Sequence, residues 1–279
     1  MVTQDVPTLV IAVLGLGEAG SAIAHDLVRA GVRVRAYDPA VSAADGITGI
    51  TGITGTASEA EAACGADLVL SVNSAKAAVG AFAAGLPGLR PDALWADLNT
   101  ASPGTKRQLA DIAAAARVSL ADVAMMAPVP GRGLRVPMLA SGEAAARYAA
   151  LLRPLGADIE VLDGPAGLAA SKKLLRSVFY KGMAAAVVEA LDAARAAGDE
   201  PWLRAHIAAE LAAADTGTME RIIDGTRRHA VRRSAEMEAA AGMLTDLGVP
   251  PLMADASRAL HERLARNPAA SPNPPTSQS

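Results

Sequence analysis

The sequence predicts an α/β protein, a doubly wound parallel sheet followed by an all-α segment, and three observations carry that prediction. Apolar runs alternate with helical stretches through residue 163, a glycine-rich turn joins the first run to the first helix, and beyond Asp163 only helical patterns remain. Thr8–Leu14 (TLVIAVL) is continuously apolar, as suits a strand covered on both faces. Glu18–Ala30 reads as a helix closed by Gly31, the residue type that best follows a helix C-terminus. Val32–Tyr37 alternates, and Asp67–Val72, Leu94–Leu98 and Val118–Val123 are further strand patterns. Pro103–Ala116 opens with proline, which a first helical turn tolerates because its N–H has no partner there. Strand–helix repetition implies a parallel sheet with right-handed crossovers. Gly46–Gly55 (GITGITGITG) repeats a triplet; it suits a short strand or an inserted surface loop, and no function is assigned to it.

Leu168–Ala197 reads as one long helix, followed by helices at Trp202–Ala214, Met219–Asp224, Arg227–Leu247 and Pro251–Leu264, with Gly198, Gly217 and Gly248 as punctuation. The Pro/Ser-rich end has little to bury and is expected to be disordered. The expected organisation is therefore a sheet domain over 1–163, a helical domain over 164–266 for substrate binding and dimerisation, and a tail over 267–279.

Composition narrows the function classes. A chain of 279 residues that is 51% hydrophobic can bury a sizeable core, and a net charge of -3 argues against nucleic acid as a partner. A single cysteine, Cys64, permits neither an internal disulfide nor a structural zinc site, and no metal-ligand spacing appears among the four histidines. Met1–Val6 lacks the basic and apolar pattern of a signal peptide, and no apolar run approaches the ~20 residues that span a bilayer. A cytoplasmic protein with no membrane partner is expected.

Gly15-Leu16-Gly17-Glu18-Ala19-Gly20 forms a GxGxxG between the first strand and first helix, and the second strand ends at Asp38. Gly15 permits the tight turn, Gly17 lets backbone approach a pyrophosphate, and Gly20 lets helix and strand pack closely. The helix start offers N–H groups and a positive dipole end to the phosphates. Asp38 is placed to accept hydrogen bonds from an adenosine ribose and repels a 2′-phosphate, so the expected cofactor of this Rossmann-like domain is NAD or NADP, with NAD favoured; Arg33 and Arg35 complicate that preference. Asn73, Asn99 and Thr100 follow strand ends, which in such a sheet face the ligand crevice.

A second constellation begins at Gly167. In a helix, Lys173, Arg176, Ser177 and Tyr180 share one face, with Leu175, Val178, Phe179, Met183 and Val187 as an apolar stripe beside it. Together with Gly20-Ser21-Ala22-Ile23-Ala24, with Asp97-Leu98-Asn99-Thr100 and Pro103, and with Ala127-Pro128-Val129-Pro130-Gly131, this stretch resembles the β-hydroxyacid dehydrogenase family, which includes 3-hydroxyisobutyrate and 6-phosphogluconate dehydrogenases. The resemblance implies that Lys173, counted from Gly167, is the general acid/base, and that Thr100, Pro130, Gly131, Arg176 and Ser177 meet the substrate. Two positions depart from the family pattern: Pro130 stands for its serine and Arg176 for its asparagine. Both bear on substrate rather than cofactor, and place the chain nearer a bacterial branch with a distinct C-terminal helical domain. The implied activity is hydride transfer between NAD(P) and a small hydroxy acid or related carbonyl compound. The alternatives are an imine reductase and a non-catalytic dinucleotide sensor. The cluster Arg227–Arg233 suits a solvated helix face, and the apolar helices suit a homodimer.

Overall fold

The computed structural model describes residues 9–41 and 52–267. Its first part runs β1 (Val10–Leu14), α1 (Glu18–Arg29), β2 (Arg33–Tyr37), β3 (Ile53–Gly55), α2 (Glu59–Ala63), β4 (Leu68–Ser71), α3 (Ala78–Gly85), β5 (Leu94–Asp97), α4 (Pro103–Ala115), β6 (Ser119–Met125), β7 (Met138–Ser141), α5 (Ala145–Leu152) and β8 (Ile159–Val161). The strands form one sheet in the order β3-β2-β1-β4-β5-β6-β7-β8. Strand order reverses between β1 and β4, the place where a doubly wound sheet opens its ligand crevice.

Alternate residues of each strand enter opposite cores. Ile11 and Val13 of β1 pack with Ile23 and Leu27 of α1, whereas Ala12 and Leu14 pack on the other face with Phe82 and Trp95. The rings of Phe82 and Trp95 meet edge-on at 5.0 Å. Helix α1 buries Gly20, Ile23, Ala24 and Leu27, the stripe that a 3.6-residue period places on one side.

The expectation of a parallel sheet is corrected at one ladder. β7 runs antiparallel to β6, while every other neighbouring pair is parallel. The connection from Met125 to Met138 holds only a single 3₁₀ turn, Gly133–Arg135, and no crossover helix. Without a crossover a chain returns antiparallel. The glycine-rich repeat falls partly outside the described residues, but its end, Ile53–Gly55, is a strand beside β2. The expected disordered tail lies outside them from residue 268 on.

Contacts divide the chain into two compact units, Met1–Arg176 and Ser177–Ser279. The helices are α6 (Leu168–Ala197), α7 (Glu200–Ala213), α8 (Thr216–Arg228), α9 (Ala230–Asp246) and α10 (Leu252–Arg266). Within the second unit, Glu189 of α6 accepts the N–H groups of Met253 at 2.7 Å and Ala254 at 2.9 Å, which caps α10. Asp215 caps α8 by accepting the Thr218 N–H, and Thr218 Oγ1 accepts the Asp215 N–H in return. Alanine, leucine and methionine side chains of α6, α7, α9 and α10 line an apolar cavity of about 470 Å³. No described helix is long and apolar enough to cross a membrane.

Candidate active site

The three glycines of the turn after β1 differ in what surrounds them. Gly15 has φ +99°, and a Cβ there would lie 2.6 Å from the Val72 carbonyl oxygen. At Gly20 a Cβ would lie 1.9 Å from the Gly15 carbonyl oxygen. Both are required by the fold itself. A Cβ on Gly17 would meet nothing within 4 Å, and its φ of -63° suits any residue. Among the described residues nothing calls for glycine at position 17 on steric grounds, and the position leaves room for a ligand.

Gly17 also caps α1 without any side-chain hydrogen bond to the first-turn N–H groups. Glu18 and Ala19 stand in that first turn, where free N–H groups and the helix dipole favour an anion. Beside the turn lies a cavity of about 270 Å³ lined by Gly15, Tyr37, Pro39, Asn73, Ala77 and Gly80 among others. These residues fit a dinucleotide: a bare helix start for the pyrophosphate and a hollow for the adenosine end.

Asp38 plays a larger part than its position in sequence implied. Its Oδ2 accepts the Leu16 N–H at 2.6 Å and its Oδ1 accepts the Ala40 N–H at 2.8 Å. The carboxylate therefore holds the glycine turn in shape. Ser21 reinforces the turn by donating to the Leu16 carbonyl at 2.6 Å.

At the ends of β4 and β5 a polar chain connects the two expected asparagines. Asn99 Nδ2 donates to Ser71 Oγ at 3.0 Å and to the Asp97 carboxylate, and Ser71 Oγ donates to Asn73 Oδ1 at 3.2 Å. Asn99 is buried, and its Oδ1 has no partner among the described residues. Asn73 and Thr100 are exposed.

Lys173 Nζ donates to Thr100 Oγ1 at 2.8 Å. The structure therefore brings together two residues that sequence reading named separately, one on α6 and one after β5. Lys173 is half-buried, whereas Lys172 is exposed. Arg176 is exposed one turn further along α6, and Ser177 is half-buried. Pro130 and Gly131 are exposed in the loop between β6 and β7, with Gly131 at φ +75°. That loop is tied to α1 through Asp26, whose Oδ2 accepts the Leu134 N–H at 2.8 Å while its other oxygen pairs with Arg29. Burial raises the Asp26 carboxyl, but the Leu134 N–H and Arg29 together outweigh it and hold the group below its ordinary value.

Sequence reading missed a buried ionic cluster directly behind this arrangement. Lys106 of α4, wholly buried, has its Nζ 2.7 Å from Asp97 Oδ2 and 3.1 Å from Asp122 Oδ1, and donates to the Asp97 carbonyl at 2.7 Å. Asp122 Oδ2 accepts the N–H groups of Gly167 at 2.8 Å and Ala170 at 3.3 Å, and the Ser141 hydroxyl at 3.1 Å. Ser141 Oγ in turn accepts the Ala169 N–H at 3.0 Å. A signal existed in the sequence. Lys106 falls in phase with Leu109 and Ala113 on the apolar face of α4, and Asp97 and Asp122 interrupt strand runs that are otherwise covered on both faces.

Residues 10–159 match the family model described as the NAD binding domain of 6-phosphogluconate dehydrogenase. The chain belongs to this family. Residues 194–264 match a second model, a domain of unknown function called DUF1932. Among solved structures, a conserved hypothetical protein from Sinorhizobium meliloti 1021 is 32% identical over 98% of this chain and 92% of its own, with a TM-score of 0.60. Conserved protein MTH1747, of unknown function and described as structurally similar to 3-hydroxyacid dehydrogenases, is 26% identical over 94% of this chain and 100% of its own, at TM-score 0.58. The imine reductase of Streptomyces aurantiacus shares the fold, with TM-score 0.78 at 21% identity over 94% and 96% of the two chains. No curated protein matches the sequence. Membership makes the chain an NAD(P)-dependent oxidoreductase, with NAD or NADP as its cofactor.

Proposed function

We propose that the chain interconverts a small hydroxy acid and the corresponding carbonyl compound, with Lys173 as the general acid/base. The observation that carries this reading is the hydrogen bond from Lys173 Nζ to Thr100 Oγ1, 2.8 Å long, beyond the end of β5. It directs an amine toward the mouth of the sheet, where such folds place their ligands.

A bound nicotinamide supplies or accepts the hydride. In reduction, Lys173 gives its proton to the substrate oxygen as that oxygen gains charge; in oxidation it takes the hydroxyl proton. Thr100 fixes the direction of the amine, so the proton travels along a set path. Arg176, one turn on from Lys173, carries a guanidinium, the group type that pairs with a carboxylate in a two-point fork. That fork is the reason for preferring an acid over a neutral alcohol. Asn99 Oδ1, buried and without a protein partner among the described residues, is an acceptor for a donor on cofactor or substrate.

The test is absorbance at 340 nm, with NAD+ and NADP+ against glycerate, 3-hydroxypropionate and 3-hydroxyisobutyrate, and with NADH and NADPH against their aldehydes and against 2-methyl-1-pyrroline as a cyclic imine. Turnover of the acids or aldehydes is expected. Lys173→Ala should lower turnover roughly 10²–10⁴-fold, the usual effect of removing a positioned acid/base, and leave NADH affinity within about twofold. Lys172→Ala, about 100° around the helix, should cost far less. Turnover of the imine alone would favour the imine reductase reading. Cofactor binding with no turnover of any probe, and no effect of Lys173→Ala, would favour a dinucleotide sensor.

A further inference from the structure

We infer that the buried Lys106–Asp97–Asp122 cluster is a positioning device that sets Lys173 against Thr100; this rests on the proposed role of Lys173. The two partners of that hydrogen bond come from different segments, and the cluster holds both. On one side Lys106 grips Asp97 through its carboxylate and its carbonyl, and Asp97 receives Asn99, which directly precedes Thr100. On the other side Lys106 pairs with Asp122, which receives the N–H groups of Gly167 and Ala170 at the start of α6. Lys173 stands on the next turn of that helix. One buried cation therefore spans the loop that carries Thr100 and the helix that carries Lys173.

Charge explains why the device includes the helix. Two carboxylates face a single ammonium, and all three side chains are wholly buried. The excess negative charge falls at Asp122, where the positive end of α6 meets it. Arg107 adds an exposed cation near Gly167, since a Cβ on that glycine would lie 3.4 Å from Arg107 Nη1. Displacing the start of α6 would take two backbone donors from a buried carboxylate, so the first turn is held more tightly than helix propensity alone would hold it. Ser141 adds the third contact by accepting the Ala169 N–H.

Amide hydrogen exchange on the full chain tests this directly. In Asp122→Asn the amides of Gly167, Ala169 and Ala170 should exchange at least tenfold faster, while those of Met253 and Ala254, capped by Glu189, keep their rates. Lys106→Met should do the same, and adding Asp97→Asn, which restores the cluster's net charge, should return most of the protection. In turnover, Asp122→Asn should lower kcat roughly 10- to 100-fold with KM and the NADH Kd within about twofold, the pattern of a misplaced rather than missing group. Should Lys106→Met yield no folded protein, Asp122→Asn and Ser141→Ala decide the matter. Unchanged exchange at Gly167 and Ala170, an equal rise at Met253 and Ala254, or no recovery in the charge-matched double variant would each overturn the inference. If exchange responds as expected but Lys173→Ala leaves turnover intact, the anchoring stands and the proposed function falls.

Discussion

Gly15, Gly17 and Gly20 answer to different neighbours, and substitution should separate them. Gly20→Val drives a side chain into the Gly15 carbonyl, a contact of 1.9 Å for the Cβ alone, and should cost about 1–3 kcal/mol or more of stability in urea unfolding. Gly17→Val meets nothing at its Cβ and should cost no more than a helix cap, about 1 kcal/mol, while abolishing NADH binding by fluorescence titration. Loss of stability in both, with binding kept in the second, would remove the argument that a ligand explains Gly17. Asp38→Ala should narrow the expected preference for NADH over NADPH. Because Asp38 also holds the Leu16 N–H, NADH affinity should fall as well; tighter NADPH binding by the unaltered chain would contradict the reading of this carboxylate. Sequence reading reached these residues because a GxGxxG and a strand-end acid are local patterns. It did not reach Lys106 or Asp122, whose partners lie far along the chain and whose role exists only once the sheet brings them together.

At the scale of elements, β2 was legible from its alternation, and the other strands read from sequence were legible from apolar runs covered on both faces. β1, β4, β5 and β6 are of that kind. β7 (MLAS) is as long as β4 and β5 but directly follows Pro137, a residue type that argues against a strand, β8 (IEV) has only three residues, and the turn that reverses the chain ahead of β7 carries no hairpin signature. What shapes that turn is a distant residue, Asp26 on α1, through the Leu134 N–H. Its carboxyl is held below the ordinary value, so the folded state binds that proton less readily than the unfolded chain. The stability it contributes is therefore present above the unfolded pKa, about 3.9, and is lost as pH falls through the lower folded value. Asp26→Asn should be less stable than the natural chain by about 1 kcal/mol at pH 7, the low end for a hydrogen bond to a charged group because solvent screens this carboxylate, and the difference should shrink below pH 4. A difference in urea unfolding that persists unchanged at pH 3 would show that the carboxylate charge is not what holds the turn.

For the whole molecule, the decisive feature is apolar surface left uncovered. Leu175, Val178 and Phe179 of α6 are 72%, 76% and 68% exposed, and Ile222, Val231 and Leu252 are similarly open. Single exposed apolar residues are ordinary, but neighbouring ones on one helix mark an interface. The expected state is a homodimer formed through the helices, with a sedimentation mass twice the 28.2 kDa chain at micromolar concentration. A monomeric mass there would contradict it. The antiparallel ladder has its own consequence for how the chain assembles in time. Asp122 and Ser141 are register partners across β6 and β7, so a one-residue slip would turn the serine to the opposite face. This is also the sheet's most local pairing, closed by a short loop where the parallel ladders wait for crossovers, and closure over short separations is the fast kind. Synthesis runs from the N-terminus, so the groups that receive α6 are encoded, and free to pair, before α6 itself has been made. The longest of the described helices, whose first turn is its costliest step, thus has its docking groups encoded before it is made.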